Sequence, residues 1–362
     1  MIFWPTLMGT IWLLLLSVAT PAEGDPYRNP KEIFGDPMIA RMPPGKAQLT
    51  PSEKEEIQKY GYTALELMIY SYASKEPGRD NDRFDRVTVV DSLGNMRIRE
   101  FLCKYSFYYK DIKALITQDG IKPGELHSNM IGLNVYPPEN VGSGGTCYTY
   151  LNSAGIQKAR WTWSWSNKLR RVRVKNPQIK DDNYTISDLT WDDLEEREPW
   201  WEEEHKILGT DILKGQKCFV VESRNIVNPK YYLTRRVTWV EEKDFRELHE
   251  EQFDRKGRLF RAIDKDWIQV KPWGYWAWSQ WNSRTLDTRV RTIYQWYDWI
   301  FDQGFGKRWY SQGQLRKEFI WRKPKSPLPY FKGVAELPPE PQIRWEFWNT
   351  LGVKIATAAD RG

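Results

Sequence analysis

The chain has 362 residues, with 54 Lys and Arg against 48 Asp and Glu and a formal net charge of +6. So even a balance, without a long basic run, argues against a nucleic-acid partner, and beyond the N-terminus the chain is too polar for a multi-span membrane protein. Aromatic side chains stand out instead: 20 Trp, 19 Tyr and 14 Phe supply many large, flat apolar surfaces.

Residues 1–22 carry the apolar run Ile11, Trp12, Leu13, Leu14, Leu15 and Leu16, then the small residues Ser17, Ala19, Thr20 and Ala22. That is the pattern of a signal-peptide apolar region and cleavage zone, and it predicts export. No Lys or Arg precedes the run, so an uncleaved N-terminal membrane anchor is the alternative; Pro5 and Gly9 shorten the apolar helix and favour cleavage. Residues 23–50 are rich in proline and predict an extended lead-in. Thr50-Pro51-Ser52-Glu53 then spells a helix start, a capping box with Pro at the first position, opening one helix that ends near Pro77-Gly78.

Strands follow. Residues 83–91 and 96–109 flank a Ser92-Leu93-Gly94-Asn95 turn and predict a hairpin, with Val87, Val89, Ile98 and Phe101 among its apolar positions. Residues 111–141 are expected as loop, and the Gly142-Ser143-Gly144-Gly145 run as a hairpin or bulge, since no Gly-Lys-Ser/Thr ending makes it a phosphate loop. Residues 146–150 and 159–174 return to strand. In the second, Trp161, Trp163 and Trp165 alternate with Thr162, Ser164 and Ser166, which predicts one covered and one wet face. Residues 185–208 are expected to be partly helical and acidic. Residues 209–264 read as a β meander whose middle, around His249, faces solvent. Aromatic strands continue over 267–301, a short helix is expected over 311–319, and the prolines after residue 323 mark a tail running over the surface. The domain reading is a signal at 1–22, the lead-in at 23–50, one half-open barrel with helical cover at 51–322, and a Pro-rich tail at 323–362.

Little in this pattern carries chemistry. His127, His205 and His249 fit no metal spacing, and no cofactor motif is present. The cysteines Cys103, Cys147 and Cys218 allow at most one disulfide, and none stands in a CxxC pair. Asp192, Asp193, Glu195 and Glu196, with Glu202, Glu203 and Glu204, could supply paired carboxylates for glycoside hydrolysis. Beside Trp191, Trp200 and Trp201, a charged outer helix face is the plainer explanation. Asn183-Tyr184-Thr185 is a lone glycosylation sequon.

Several segments, in order, resemble the LolA/LolB-like outer-membrane lipoprotein-sorting proteins. They are Arg170-Arg171-Val172-Arg173 after a Trp-bearing strand, the TISDLTWDDL of residues 185–194, residues 208–222, residues 232–240, and Phe245 followed by Phe253-Asp254-Arg255-Lys256-Gly257-Arg258-Leu259. Together they span residues 161–263. The resemblance implies a mainly β fold with a few helices, an incomplete antiparallel β-barrel capped by helices. Its apolar concavity would shield acyl chains crossing the periplasm, with no covalent chemistry and no cofactor. An inner-membrane export complex and an outer-membrane acceptor are the partners such a role implies. The candidate cavity lining is Trp161, Trp163, Trp165, Val237, Trp239, Phe245, Phe253, Trp276 and Trp278. The helix near residues 60–72 and the region 111–141 are the candidate covers. An exported glycan-binding protein with tryptophan platforms is the competing expectation, and a glycan hydrolase using Asp193 and Glu196 a third.

Overall fold

The computed structural model describes residues 29–43, 46–75, 78–107, 125–151, 158–175, 182–194, 202–228, 230–317 and 322–359; the expected signal at 1–22 lies outside them. Thr50 caps the helix α3 (Pro51–Tyr60) through the expected capping box with Glu53. The predicted single helix is two. Gly61, at φ 81, takes the left-handed conformation that ends α3, and a second capping box, Thr63 with Glu66, starts α4 (Ala64–Ser74). Two short helices, α1 (Pro30–Phe34) and α2 (Pro37–Arg41), each begin on a proline in the stretch expected to be extended.

Thirteen strands then form one antiparallel sheet. They are β1 (Asp80–Val90), β2 (Met96–Phe107), β3 (Leu126–Tyr136), β4 (Gly144–Leu151), β5 (Lys158–Ser166), β6 (Arg171–Lys175), β7 (Glu203–Leu213), β8 (Gln216–Asn225), β9 (Leu233–Glu241), β10 (Glu247–Asp254), β11 (Leu259–Val270), β12 (Tyr275–Thr285) and β13 (Arg291–Phe301). Their order is β6-β5-β4-β3-β2-β1-β13-β12-β11-β10-β9-β8-β7, and the sheet does not close. The expected hairpin is β1–β2, its turn held by the Asp91 carboxylate, which accepts from the Leu93 and Asn95 amides.

Two expectations are corrected here. Residues 126–136, read as loop, are β3. Residues 159–174, read as one strand, are the β5–β6 hairpin, turning at Asn167 to Arg170, where Arg170 has φ 48. The expectation that 185–208 is partly helical holds at Trp191–Leu194, and β7 begins at Glu203. The Gly142 to Gly145 run does belong to a hairpin, and its geometry explains one glycine. A Cβ on Gly144 would collide with the Gly132 carbonyl oxygen across the β3–β4 pair.

Residues paired across antiparallel strands share a face, so the register sorts every strand residue. One rung runs Val221, Thr238, Glu250, Ile263, Ser283, Thr292, Val89; its neighbour on the other face runs Val220, Trp239, His249, Asp264, Asn282, Ile293, Thr88. The first face carries the helices. Leu67, Ile69 and Tyr70 of α4 pack with Ile207, Phe219, Val221 and Val240. Next to them a strap, residues 182–194, lays Leu189, Ile186 and Leu194 over Val87, Val89, Ile263, Trp281, Tyr294 and Trp296.

The second face carries the C-terminal stretch. Tyr310 and Leu315 cover Ile131, Leu133 and Trp165. Leu328 lies against Phe84, Leu102 and Tyr297. Phe347 and Trp348, in the helix Trp345–Thr350, fill a nest of Val220, Val237, Trp239, Phe253 and Leu259. The predicted surface tail is thus the second wall of the core. With both faces covered, the polar period of the meander does not mark a wet side: Glu247 through Phe253 are all buried.

Candidate ligand-binding face

The helix-bearing face joins two unlike patches. The first is a cluster of charges beneath the strap. The Arg236 guanidinium, 1% exposed, meets Asp192, Asp193 at 3.2 Å and Glu250 at 3.3 Å, with Glu203 at 3.9 Å. Arg261 donates to Asp193 at 2.7 Å and to the Asp188 carbonyl, and Lys265 meets Glu247 at 2.5 Å and Glu250 at 2.7 Å. Asp188 also accepts from the Thr285 and Thr292 hydroxyls. Burial pulls the Arg236 proton affinity down. It pulls on Arg261 as well, but there the Asp193 and Asp188 carboxylates outweigh it and hold the group above its usual range. Every strap carboxylate named here is bound to a residue of the sheet.

Farther along the same face, Asp85 accepts from the Tyr294 hydroxyl at 2.9 Å and from Arg83 at 2.9 Å. Burial raises the proton affinity of that carboxyl. The neighbouring Cys103 thiol is pushed well up by burial, and Cys218, on the other face, to about 12. All three cysteines are buried, unpaired thiols, so the single disulfide allowed by the sequence is not made.

The second patch is aromatic. Trp267 of β11, Trp276 and Trp278 of β12, Trp299 of β13 and Tyr105 of β2 are each half-buried. A bulge after Asp266 sets Trp267 opposite Trp278, their ring centroids 5.8 Å apart. Trp278 leans on the fully buried Trp281 at 4.8 Å and Trp296 at 5.2 Å. Two indole hydrogen bonds pin the stripe: Trp267 Nε1 to the Glu247 carbonyl at 2.7 Å, and Trp299 Nε1 to the Trp278 carbonyl at 3.0 Å. Guanidinium groups stack at its ends, Arg246 at 3.9 Å from the Trp276 ring and Arg83 at 4.8 Å from Trp299.

The residues expected to line one cavity do not share a surface. Trp163, Trp165, Val237, Trp239 and Phe253 lie on the tail-covered face, packed by Tyr310, Leu315, Phe347 and Trp348. Phe245, in the β9–β10 turn, is buried by Tyr62 and Tyr70 below the helices. Only Trp276 and Trp278 fall on the aromatic stripe. The side chain of Trp161 lies outside the described residues. Of the expected covers, the helical one is in place over β7–β9, while residues 108–124 are outside the described set. Trp267, Trp299 and Tyr105 were missed, although the two tryptophans sit in the aromatic strands flagged by the sequence; the register shift at Ser279 that brings Trp278 opposite Trp267 has no sequence mark.

The acidic cluster is corrected as well. Asp192 and Asp193 are not an outer helix face but are buried against Arg236, while Glu195, Glu196, Trp200 and Trp201 lie outside the described residues. His249 is likewise no part of an outer wall. It is buried between Asp264 at 2.7 Å and Glu251 at 3.5 Å, and Glu251 in turn accepts from Trp348 Nε1 at 2.6 Å and the Arg344 amide at 2.7 Å. Burial disfavours the imidazolium, yet the hydrogen bonds to Asp264 and Glu251 prevail and raise its pKa to about 9. Among the described residues no group of three or more His, Cys, Asp or Glu could hold a metal.

Comparison with known proteins gives the fold a setting. A family model described as "Uncharacterized protein" matches residues 146–317. No curated protein matches the chain. Among solved structures, a DUF1329 family protein from Desulfovibrio piger aligns over 74% of this chain and 100% of its own, with TM-score 0.58 and 15% identity. A candidate outer membrane lipoprotein-sorting protein domain from Vibrio parahaemolyticus aligns over 70% of this chain and 98% of its own, with TM-score 0.57 and 18% identity. A LolA superfamily protein from Nitrosomonas europaea aligns more loosely, over 70% of this chain and 99% of its own, at TM-score 0.49 and 11% identity. The resemblance to the lipoprotein-sorting proteins read from residues 161–263 therefore extends to the fold: mostly β, one unclosed antiparallel sheet with few helices.

Proposed function

We propose that the protein is a non-catalytic carrier that holds the acyl chains of a lipid or lipoprotein against the helix-bearing face, on the stripe of Trp267, Trp276, Trp278, Trp299 and Tyr105. The observation that carries this reading is that these large rings stay half-exposed on one face while the opposite face is filled by the chain's own tail. An acyl chain laid on such a stripe gains about 0.8 kcal/mol per buried CH₂, and an open stripe lets it leave again. The tilt of the rings also supports acyl chains over sugars. Trp267 and Trp278 are inclined by 58° and Trp278 and Trp281 by 67°, which makes a corrugated surface rather than a flat platform for sugar stacking.

Enzymatic use of the acidic cluster fits poorly, because Asp193 is committed to Arg236, Arg261 and Gln252. The export pattern of residues 1–22 supports the periplasm as the place of work, with an inner-membrane donor and an outer-membrane acceptor as partners. Among the described residues no helix is long and apolar enough to cross a membrane.

Native mass spectrometry of the protein purified from membranes tests the reading. Lipid-sized adducts are expected, and they should be depleted when Trp267 and Trp278 are both replaced by alanine. Protein that never retains lipid, yet binds members of a glycan panel, would sink the carrier reading and favour the sugar one.

A further inference from the structure

The two edges of the open sheet are treated differently. The β7 edge is shielded: its Ile207 amide donates to the Glu56 carboxylate at 2.8 Å, and its Ile212 carbonyl accepts from Arg344 at 3.1 Å. The β6 edge has no such shield among the described residues. What it has is charge. From residue 141 to residue 180 the sequence contains no Asp or Glu and eight Lys or Arg, and this stretch includes β4, β5 and β6. Lys168, Arg170, Arg171 and Arg173 are all exposed around the β5–β6 turn and along β6. Among them stand two exposed apolar side chains, Leu169 at 51% and Val174 at 68%. Lys168, Arg171 and Arg173 make no ion pair with any described residue, whereas the strap's carboxylates a short way along the chain are used up internally.

We infer that the β5–β6 hairpin is a docking surface for an anionic lipid bilayer. A fixed protein partner is normally met by a shaped recess or by an open strand long enough to extend. Here the edge strand has five residues and Pro177, two positions past its end, can donate no ladder hydrogen bond. One sign of charge, spread over an exposed turn and edge strand with no carboxylate in the surrounding sequence, instead matches a diffuse layer of lipid phosphates, where each Lys or Arg contributes roughly a fivefold gain in binding. The proposal gives the carrier of the preceding section its place of loading or delivery. It does not depend on the cargo, since the hairpin lies at the β6 edge of the sheet, whereas α3 and α4 lie toward the β7 edge.

The test is co-sedimentation of the full chain with vesicles of phosphatidylcholine alone and with an equal part of phosphatidylglycerol. The apolar segment at residues 1–22 contributes alike to both vesicle types, so the quantity read is the ratio of binding, anionic over neutral. The wild type should favour anionic vesicles, and the preference should fade as salt is raised. Replacing Lys168, Arg171 and Arg173 together by glutamine should cut the ratio by on the order of a hundredfold, at roughly fivefold per cation, with the melting temperature unchanged. A ratio near one for the wild type, or a ratio the triple variant leaves intact, overturns the proposal. So does binding to a polyglutamate peptide in place of vesicles, which would move the surface to an acidic protein. If the triple variant instead self-associates in size-exclusion chromatography while keeping its lipid preference, the cations only guard an open edge and the proposal fails. Lipid adducts in native mass spectrometry carry no information on this ratio, so the two readings stand or fall separately.

Discussion

On the tail-covered face, cover and sheet are held together by aromatic burial: Phe347 and Trp348 sit on Trp239 and Phe253, with ring centroids 5.5 and 5.7 Å apart. On the helix-bearing face the strap is held largely by charge, with Asp188, Asp192 and Asp193 gripped by Arg236 and Arg261. A buried ion cluster adds little net stability against an apolar alternative of the same shape, but it severely penalises any arrangement that leaves one member unpaired. Aromatic burial behaves differently, losing stability in proportion to the surface removed. The tail therefore supplies stability, and the strap is fixed in register by its charges.

The sharpest way to break the comparison is Arg236→Met. It leaves Asp192, Asp193 and Glu250 facing one another without their shared cation, and the expected loss is in the upper part of the about 3–5 kcal/mol range for removing one buried partner, read by denaturant unfolding. If the loss is small, the strap is not held by charge. Trp348→Ala should cost about 3–4 kcal/mol, as for other buried aromatics, without lowering lipid retention, because the ring lies on the face away from the stripe.

A third expectation concerns His249, whose pKa is about 9 in the fold against an ordinary 6.5. A raised pKa means that the folded state binds the proton more tightly, so the contribution is fully present below about pH 6.5 and is lost as pH rises through about 9. It amounts to at most about 3 kcal/mol. The stability gap between wild type and His249→Gln should accordingly be wide at about pH 6 and narrow by about pH 10; a gap independent of pH would deny the imidazolium its part in holding Glu251 and, through it, Trp348. The smallest effect belongs to Trp278→Ala. A half-buried ring should cost only about 1–2 kcal/mol of stability, while the retained lipid falls clearly.

How much of this could be read from the sequence depends on which interactions are local. The Thr50 capping box, the β1–β2 hairpin and the meander after residue 209 are local, and each lies where residue patterns put it. The helix break at Gly61 was legible in retrospect, since Thr63 and Glu66 repeat the spacing of Thr50 and Glu53. Faces were not legible. Alternation tells that Trp163 and Trp165 point together, but their relation to Trp278 is fixed by the register of the strands between them, including a shift at Ser279. The buried charges misled for a related reason. Glu247, Glu250 and Gln252 look solvated when the partners that neutralise them, Lys265, Arg236 and Arg261, come from other strands.

The strand order has a consequence for how the chain reaches this state. Every pair of neighbours in the sheet is also consecutive along the chain, except one: β1 lies beside β13, with Val87 opposite Tyr294. Two runs of hairpins, β1 to β6 and β7 to β13, can thus each zip up through contacts of short sequence separation, the kind that form fast. The whole sheet then rests on a single seam between distant segments. The entropy of closing so long a loop grows only with the logarithm of its length. The slow event expected in folding is the meeting of these two halves along β1 and β13, and substitutions at that seam should slow assembly more than substitutions inside either run of hairpins.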